Sequence, residues 1–290
     1  MRAYLLYPAQ CFLGEGPLWH PVRKSCFWTD IEARKFYEYS WPDQTVRTRI
    51  VDYKVSLILR DKHEQLLLGL HGGLARYDLN EDKLVWLLDI EKEMLDHRCN
   101  DGACDTNGRL WVGSMHSEFI TGAGSLYCVD DDLALQKKLD QVSISNGIAW
   151  SPDNLHMYYI DTPRRTVSSF SFDQASGNIE FESEAVHIPA KLGAPDGMAI
   201  DEEGMLWIAH WGGFGVYRWN PENGQLLDRI NLPVPNVTSC AFSGEHLDQL
   251  VITTARQDLS EDELEKYPGS GDVFIARPGV KGLRKNKCRF

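Results

Sequence analysis

One pattern recurs six times along the chain and limits its fold more than any other feature: a short apolar run, a turn, then a second apolar run. The clearest copy covers residues 194–211. Met198 to Ile200 is the first run, Glu202-Glu203-Gly204 the turn and Leu206 to Ala209 the second, with Asp196 just ahead of the first. Other copies begin at Glu15, Val55, Asn100, Asn146 and Thr238, at spacings of about 40 to 50 residues. A third strand follows in residues 125–129, 167–172 and 215–219. A fourth follows a Gly-containing turn in residues 178–181 and 225–228. Four strands in about 45 residues is the size of a propeller blade. The expected fold is therefore all-β, a six-bladed β-propeller of four-stranded blades forming one domain over residues 1–290. Residues 271–276 then supply the third strand of the last blade. Residues 4–7 supply its fourth and close the ring, which leaves only short, protected edges. An insertion in the last blade is expected to hold a helix or a solvated charged turn, where Ser260 and Glu263 have capping-box spacing.

Composition narrows the function classes. With 43% hydrophobic residues the chain can bury a large core, and 9 Trp with 11 Tyr suit packed sheets. A net charge of −12 argues against a nucleic-acid backbone as partner and is compatible with attracting a cation. No apolar run approaches the roughly 18 residues of a membrane span, and the first eight residues read as a strand, not a leader. Seven cysteines are an odd number and contain no C-x-x-C pair, so neither a disulfide framework nor a zinc ribbon is expected. These features describe a reduced, cytoplasmic monomer. Asn236-Val237-Thr238 matches a glycosylation sequon, a three-residue pattern without a secretory signal to support it.

In a propeller the first strand of each blade lines the central channel, so its first residue sits at one mouth. Across the six copies that register reads Glu15, Val55, Asn100, Asn146, Asp196 and Thr238. Singly, Asn-Gly and Asp-Gly are ordinary turn formers. Recurrence at one register says more: carboxylates and amides converging on one axis are costly to bury unless satisfied, and a cation with oxygen ligands satisfies them. Glu15, Asn146 and Asp196 form the expected metal set.

The same residues carry a resemblance. Residues 13–19 (Leu-Gly-Glu-Gly-Pro-Leu-Trp), 98–102 (Arg-Cys-Asn-Asp-Gly), 145–150 (Ser-Asn-Gly-Ile-Ala-Trp) and 195–198 (Pro-Asp-Gly-Met) resemble the regucalcin / senescence-marker-protein / gluconolactonase family, as do 253–256 and 271–274. The resemblance covers nearly the whole chain. It implies a six-bladed propeller with one divalent metal and hydrolysis of sugar lactones. It also implies Glu15, Asn146 and Asp196 as metal ligands, Arg98, Asn100 and Glu118 as substrate contacts, and Asp196 as general base. The stretch 114–124 is shorter than in animal regucalcins and looks more like bacterial sugar lactonases, as does 207–213.

The chemistry is coherent. A divalent ion (Ca, Mg, Mn, Fe or Zn) polarises a lactone carbonyl, and a carboxylate beside it takes a proton from water. Arg98 offers several donors to sugar hydroxyls. His71 and His210 are added as rim contacts to substrate, and no G-x-S-x-G elbow points to a serine nucleophile. Trp19, Trp111, Trp150 and Trp207 are expected between blades, and Asp105, Asp153 and Asp201 in turns. Competing readings are a calcium-binding regulatory protein, a propeller esterase or phosphotriesterase, and a protein-interaction scaffold. The polar convergence argues against the last.

Overall fold

The computed structural model describes residues 1–290. Twenty-four strands form six four-stranded antiparallel sheets. In five of them the strands follow chain order from the inside outward. The inner strands are Gly14–His20, Val55–Arg60, His97–Cys104, Ser145–Trp150, Ala194–Ile200 and Val237–Ser243, and each lies beside the next around a closed ring. The sixth sheet is completed by the N-terminus: Tyr4–Tyr7 pairs antiparallel with Val273–Ala276, joining Tyr4 to Ile275 and Tyr7 to Val273. The six-bladed propeller and its closure are as the repeat predicts. The helix Glu261–Lys266 is also present, with Ser260 and Glu263 forming a reciprocal capping box.

Apolar packing explains the ring. Six buried clusters each lie between two neighbouring blades. One joins Trp111 and Leu126 of blade three to Ile148, Tyr159 and Phe172 of blade four. Middle strands such as Leu66–Leu70 and Leu206–Trp211 are covered on both faces and read as apolar runs. Outer strands such as Leu135–Val142 are mostly exposed and carry little pattern.

Asp105 and Asp201 do more than form turns. Both are fully buried. Asp201 accepts bonds from the Glu203 and Met205 amides, from Trp207 Nε1 at 2.9 Å and from Arg218 Nε at 2.8 Å. Asp105 does the same with Asn107, Arg109 and Trp111. Each latches the turn after an inner strand to a buried tryptophan of the next. Asp153 remains an exposed turn former.

One expectation needs correction. Cys104 and Cys288 are joined by a disulfide across 184 residues, so the cysteines are not all reduced; the other five are free and buried. Asn236 of the sequon is 4% exposed, and its Nδ2 donates to the Gln257 carbonyl, so it is no glycan acceptor in the folded chain. No helix is long and apolar enough to cross a membrane.

The disulfide ties the C-terminal residues to blade three and closes a long loop, so Cys288→Ser should lower unfolding stability by about 2–4 kcal/mol. Denaturant unfolding with and without reductant checks this. The parent should lose a similar amount on reduction, and the variant should be indifferent to it.

Candidate functional site

All six inner strands bulge at the same level. The pairing with the second strand slips between Glu15 and Leu18, Val55 and Leu57, Cys99 and Gly102, Ser145 and Ile148, Pro195 and Met198, and Val237 and Ser239. In a regular strand the side chains alternate between the two faces, and here both faces belong to neighbouring blades. A bulge breaks that alternation and re-aims a side chain. Asn100, Asn146, Asp196 and Thr238 sit within these bulges, and Glu15 immediately before one. The glycines that follow are not turn residues. A Cβ on Gly147 would lie 2.5 Å from Met198 Cβ, and one on Gly197 would lie 2.1 Å from Ser239 Oγ. Glycine is required there because adjacent inner strands approach too closely for a side chain.

The channel holds two cavities of about 250 Å³ each. The upper one brings together Glu15, Arg98, Asn100, Asn146 and Asp196, five of the residues singled out in the sequence, between apolar walls that include Leu13, Ile31, Met115 and Trp211. A relay of hydrogen bonds runs around its mouth. Arg98 Nη1 donates to Asn100 Oδ1; Asn100 Nδ2 donates to Asn146 Oδ1 at 3.3 Å and to the Ser145 carbonyl at 2.7 Å. Asn146 Nδ2 then donates to Thr162 Oγ1, and Thr162 to the carbonyl of Pro195, beside Asp196. Residues from blades three, four and five are thus held in one frame.

The carboxylates are the unsatisfied part of that frame. Glu15 accepts one bond from the Gly16 amide, and neither Glu15 nor Asp196 is ion-paired with a basic side chain. Burial, and then repulsion by Asp101, pushes the Glu15 carboxyl up to about 8. Burial, Glu15 and Asp101 together hold Asp196 well above the usual carboxylate range. Arg98 is 8% exposed; desolvation lowers its pKa, opposed by Glu32, Glu15 and Asp196. Two carboxylates and an amide, oxygen donors only, without a cationic partner of their own, suit a hard divalent cation. The residues present fit that group.

Three expected contacts lie elsewhere. Glu118 is exposed and does not line the cavity; its neighbour Phe119 does, from a left-handed turn at φ 57°. His71 belongs to the turn after Leu66–Leu70, where its amide bonds the Lys54 carbonyl, and it is also absent from the walls. His210 is fully buried inside blade five, stacked on Tyr217 with ring centres 4.0 Å apart. Its Nδ1–H donates to the Leu192 carbonyl, and burial pushes its pKa down to about 4, which keeps it neutral. Conversely, Thr162, Gln257 and Asp258 line the cavity and were missed. Gln257 and Asp258 directly follow the family-like stretch 253–256, which was the available signal; Thr162 follows a second strand with no pattern to mark it.

The chain is similar to known proteins along nearly its whole length. The description "SMP-30/Gluconolactonase/LRE-like region" matches residues 13–256. Regucalcin of Oryctolagus cuniculus is 33% identical over 282 residues, covering 95% of this chain and 94% of its own. A protein of Bacillus subtilis (strain 168), whose name proposes a sugar lactone lactonase, is 34% identical over 286 residues, covering 98% and 97%. The crystal structure of a calcium-binding protein, regucalcin, from Agrobacterium tumefaciens superposes with a TM-score of 0.94 at 27% identity, over 100% of this chain and 98% of that one.

The raised Glu15 carboxyl has a sign that can be measured. Between about pH 4.5 and 8 the metal-free folded protein keeps a proton that the unfolded chain has released, so its stability falls as pH rises through that window. Melting temperatures in chelator from pH 4.5 to 8.5 should fall for the parent. They should be flatter for Glu15→Gln, which never ionises.

Proposed function

The chain belongs to the SMP-30/gluconolactonase/LRE-like family, and from that membership we propose that it hydrolyses a sugar lactone, such as a glucono-, xylono- or arabinono-lactone, to the aldonic acid with one divalent metal ion. The observation that carries the reading is the facing pair of Glu15 and Asp196, unpaired with any base, in a cavity that also presents Arg98 and two amides. Glu15, Asn146 and Asp196 would hold the ion, and their oxygen donors suit calcium, magnesium or manganese best, ahead of iron or zinc. When bound, the ion supplies the positive charge that keeps both carboxylates ionised and a Lewis acid for the carbonyl oxygen.

Asp196 takes a proton from the attacking water as the water oxygen bonds to the lactone carbonyl carbon. The ring C–O bond then breaks, and Asp196 returns the proton to the departing alkoxide, which becomes the new hydroxyl. Arg98 and Asn100, fixed by their mutual hydrogen bond, orient the sugar hydroxyls. Leu13, Ile31 and Trp211 meet the C–H faces of the ring and displace water. The same reading takes residues 1–290 as one domain. It keeps a monomeric, cytoplasmic protein, with the single disulfide as a tether and not a secreted framework. A second reading, a calcium-binding protein without catalysis, is favoured by the names of the regucalcin relatives. It predicts ion binding with no acid release from any lactone.

A lactone panel crossed with a metal panel, reading acid release above spontaneous hydrolysis, separates the two. Asp196→Asn then tests the base. With metal occupancy verified, kcat should remain about 10²–10⁴-fold below the parent, the usual worth of general-base catalysis. Recovery to within about threefold would leave Asp196 a ligand only.

A further inference from the structure

The lower cavity is lined by all six inner strands and closed by the C-terminal residues Leu283 to Asn286. After Ala276 the chain crosses the face opposite the candidate site as a strap. Gly282 N donates to the Leu247 carbonyl, Leu283 N to Ile200 and Cys288 N to Arg60. Arg60 Nη2 donates to the Lys285 carbonyl, Asn286 Nδ2 donates to the Cys104 carbonyl, and the disulfide fixes Cys288 to Cys104. The strap is therefore anchored on both sides of Lys285.

Lys285 projects from this strap into the channel. Its Nζ donates to the Pro17 carbonyl at 3.3 Å, in the bulge that follows Glu15, and it makes no ion pair. Lys285 is an exposed residue of the strap that also borders clefts with Pro21, Arg60 and Arg284, and its side chain lines the lower cavity. Asp101, in the bulge of blade three next to Asn100, lines the same cavity and accepts only the Gly102 amide. Enclosure lowers the Lys285 pKa; Asp101 is the strongest group opposing that, and Glu15 also contributes. Lys285 is in turn the main charge offsetting the burial of Asp101.

We propose that Lys285 is a built-in counter-charge beneath the site: the strap inserts its ammonium into the lower channel, where it balances Asp101 and limits how tightly Glu15 and Asp196 hold a divalent cation. The proposal rests on the metal-binding reading above. It makes Lys285 a positioning residue, one that acts on the ion through the field of the channel without touching it. A third uncompensated carboxylate would bind the ion more tightly.

Titration of folded, metal-free protein with Ca²⁺ and Mn²⁺ by calorimetry tests this without any activity assay. One unit charge acting across a water-filled channel is worth about five- to tenfold on a divalent ion. Lys285→Met should therefore tighten binding by about that factor, and Asp101→Asn should weaken it similarly. The double variant should return near the parent, and Lys285→Arg should stay near it. If Lys285→Met does not fold, Asp101→Asn, close to isosteric, decides alone. A parent that binds neither ion overturns the metal reading itself. A parent that binds while both single variants stay within about twofold overturns the counter-charge alone. So does weaker binding by folded Lys285→Met, the result expected if the side chain merely anchors the Pro17 carbonyl.

Discussion

The molecule depends on ring closure. No blade buries both of its faces alone; each of the six apolar clusters is shared by two neighbours, so every blade needs the next. The last gap is closed by a strand from the opposite end of the chain, Tyr4–Tyr7 on Val273–Ala276. That pairing covers the Val273–Ala276 edge and completes the blade beside the last cluster, where Trp19 and Trp28 of blade one meet Val251 and Val273 of blade six. With the ring closed, six inner strands are held side by side around one axis, the precondition for any site on that axis.

A closed ring of regular strands would present little chemistry to the channel, since alternate side chains would enter the wedges between blades. The bulge repeated in each inner strand changes this. It turns Asn100, Asn146 and Asp196 out of the alternation, and Gly147 and Gly197 permit the close strand approach beside it. The cost is electrostatic: two carboxyls share an enclosed space, where burial and Asp101 raise the pKa of Glu15, and burial, Glu15 and Asp101 raise that of Asp196. The hydrogen-bonded frame from Arg98 to Pro195 fixes that arrangement without relieving it, because none of its donors reaches a carboxylate side chain. Enclosed oxygen donors without a cationic partner suit a cation better than a neutral group.

The opposite end of the channel has a different balance. There the strap places a lysine among the same acidic strands, and Asp101 looks toward it from one residue beyond Asn100. The two ends share a wall, so a charge placed at one is felt at the other, and the C-terminal segment becomes part of the electrostatics of the site as well as of the fold.

The sequence by itself determined the blades and most of the site. Turn signals and apolar runs repeating at about 45 residues admit few folds. Glu15, Asn100, Asn146 and Asp196 could be placed at one mouth because a periodic chain maps equal register onto equal depth, and Arg98 joined them through the family resemblance. The tertiary structure decided what register does not encode. His210 is aligned like a rim residue yet stacks on Tyr217 within its blade, because side-chain direction depends on the local pleat and not on the repeat. Asp105 and Asp201 look like turn formers and prove to be buried latches, since their tryptophan and arginine partners meet them only across strands. Thr162 and Asp258 enter the cavity from loops that carry no period. The Cys104–Cys288 bond and the Lys285 insertion join positions 184 and 268 residues apart, and only folding brings such pairs within reach.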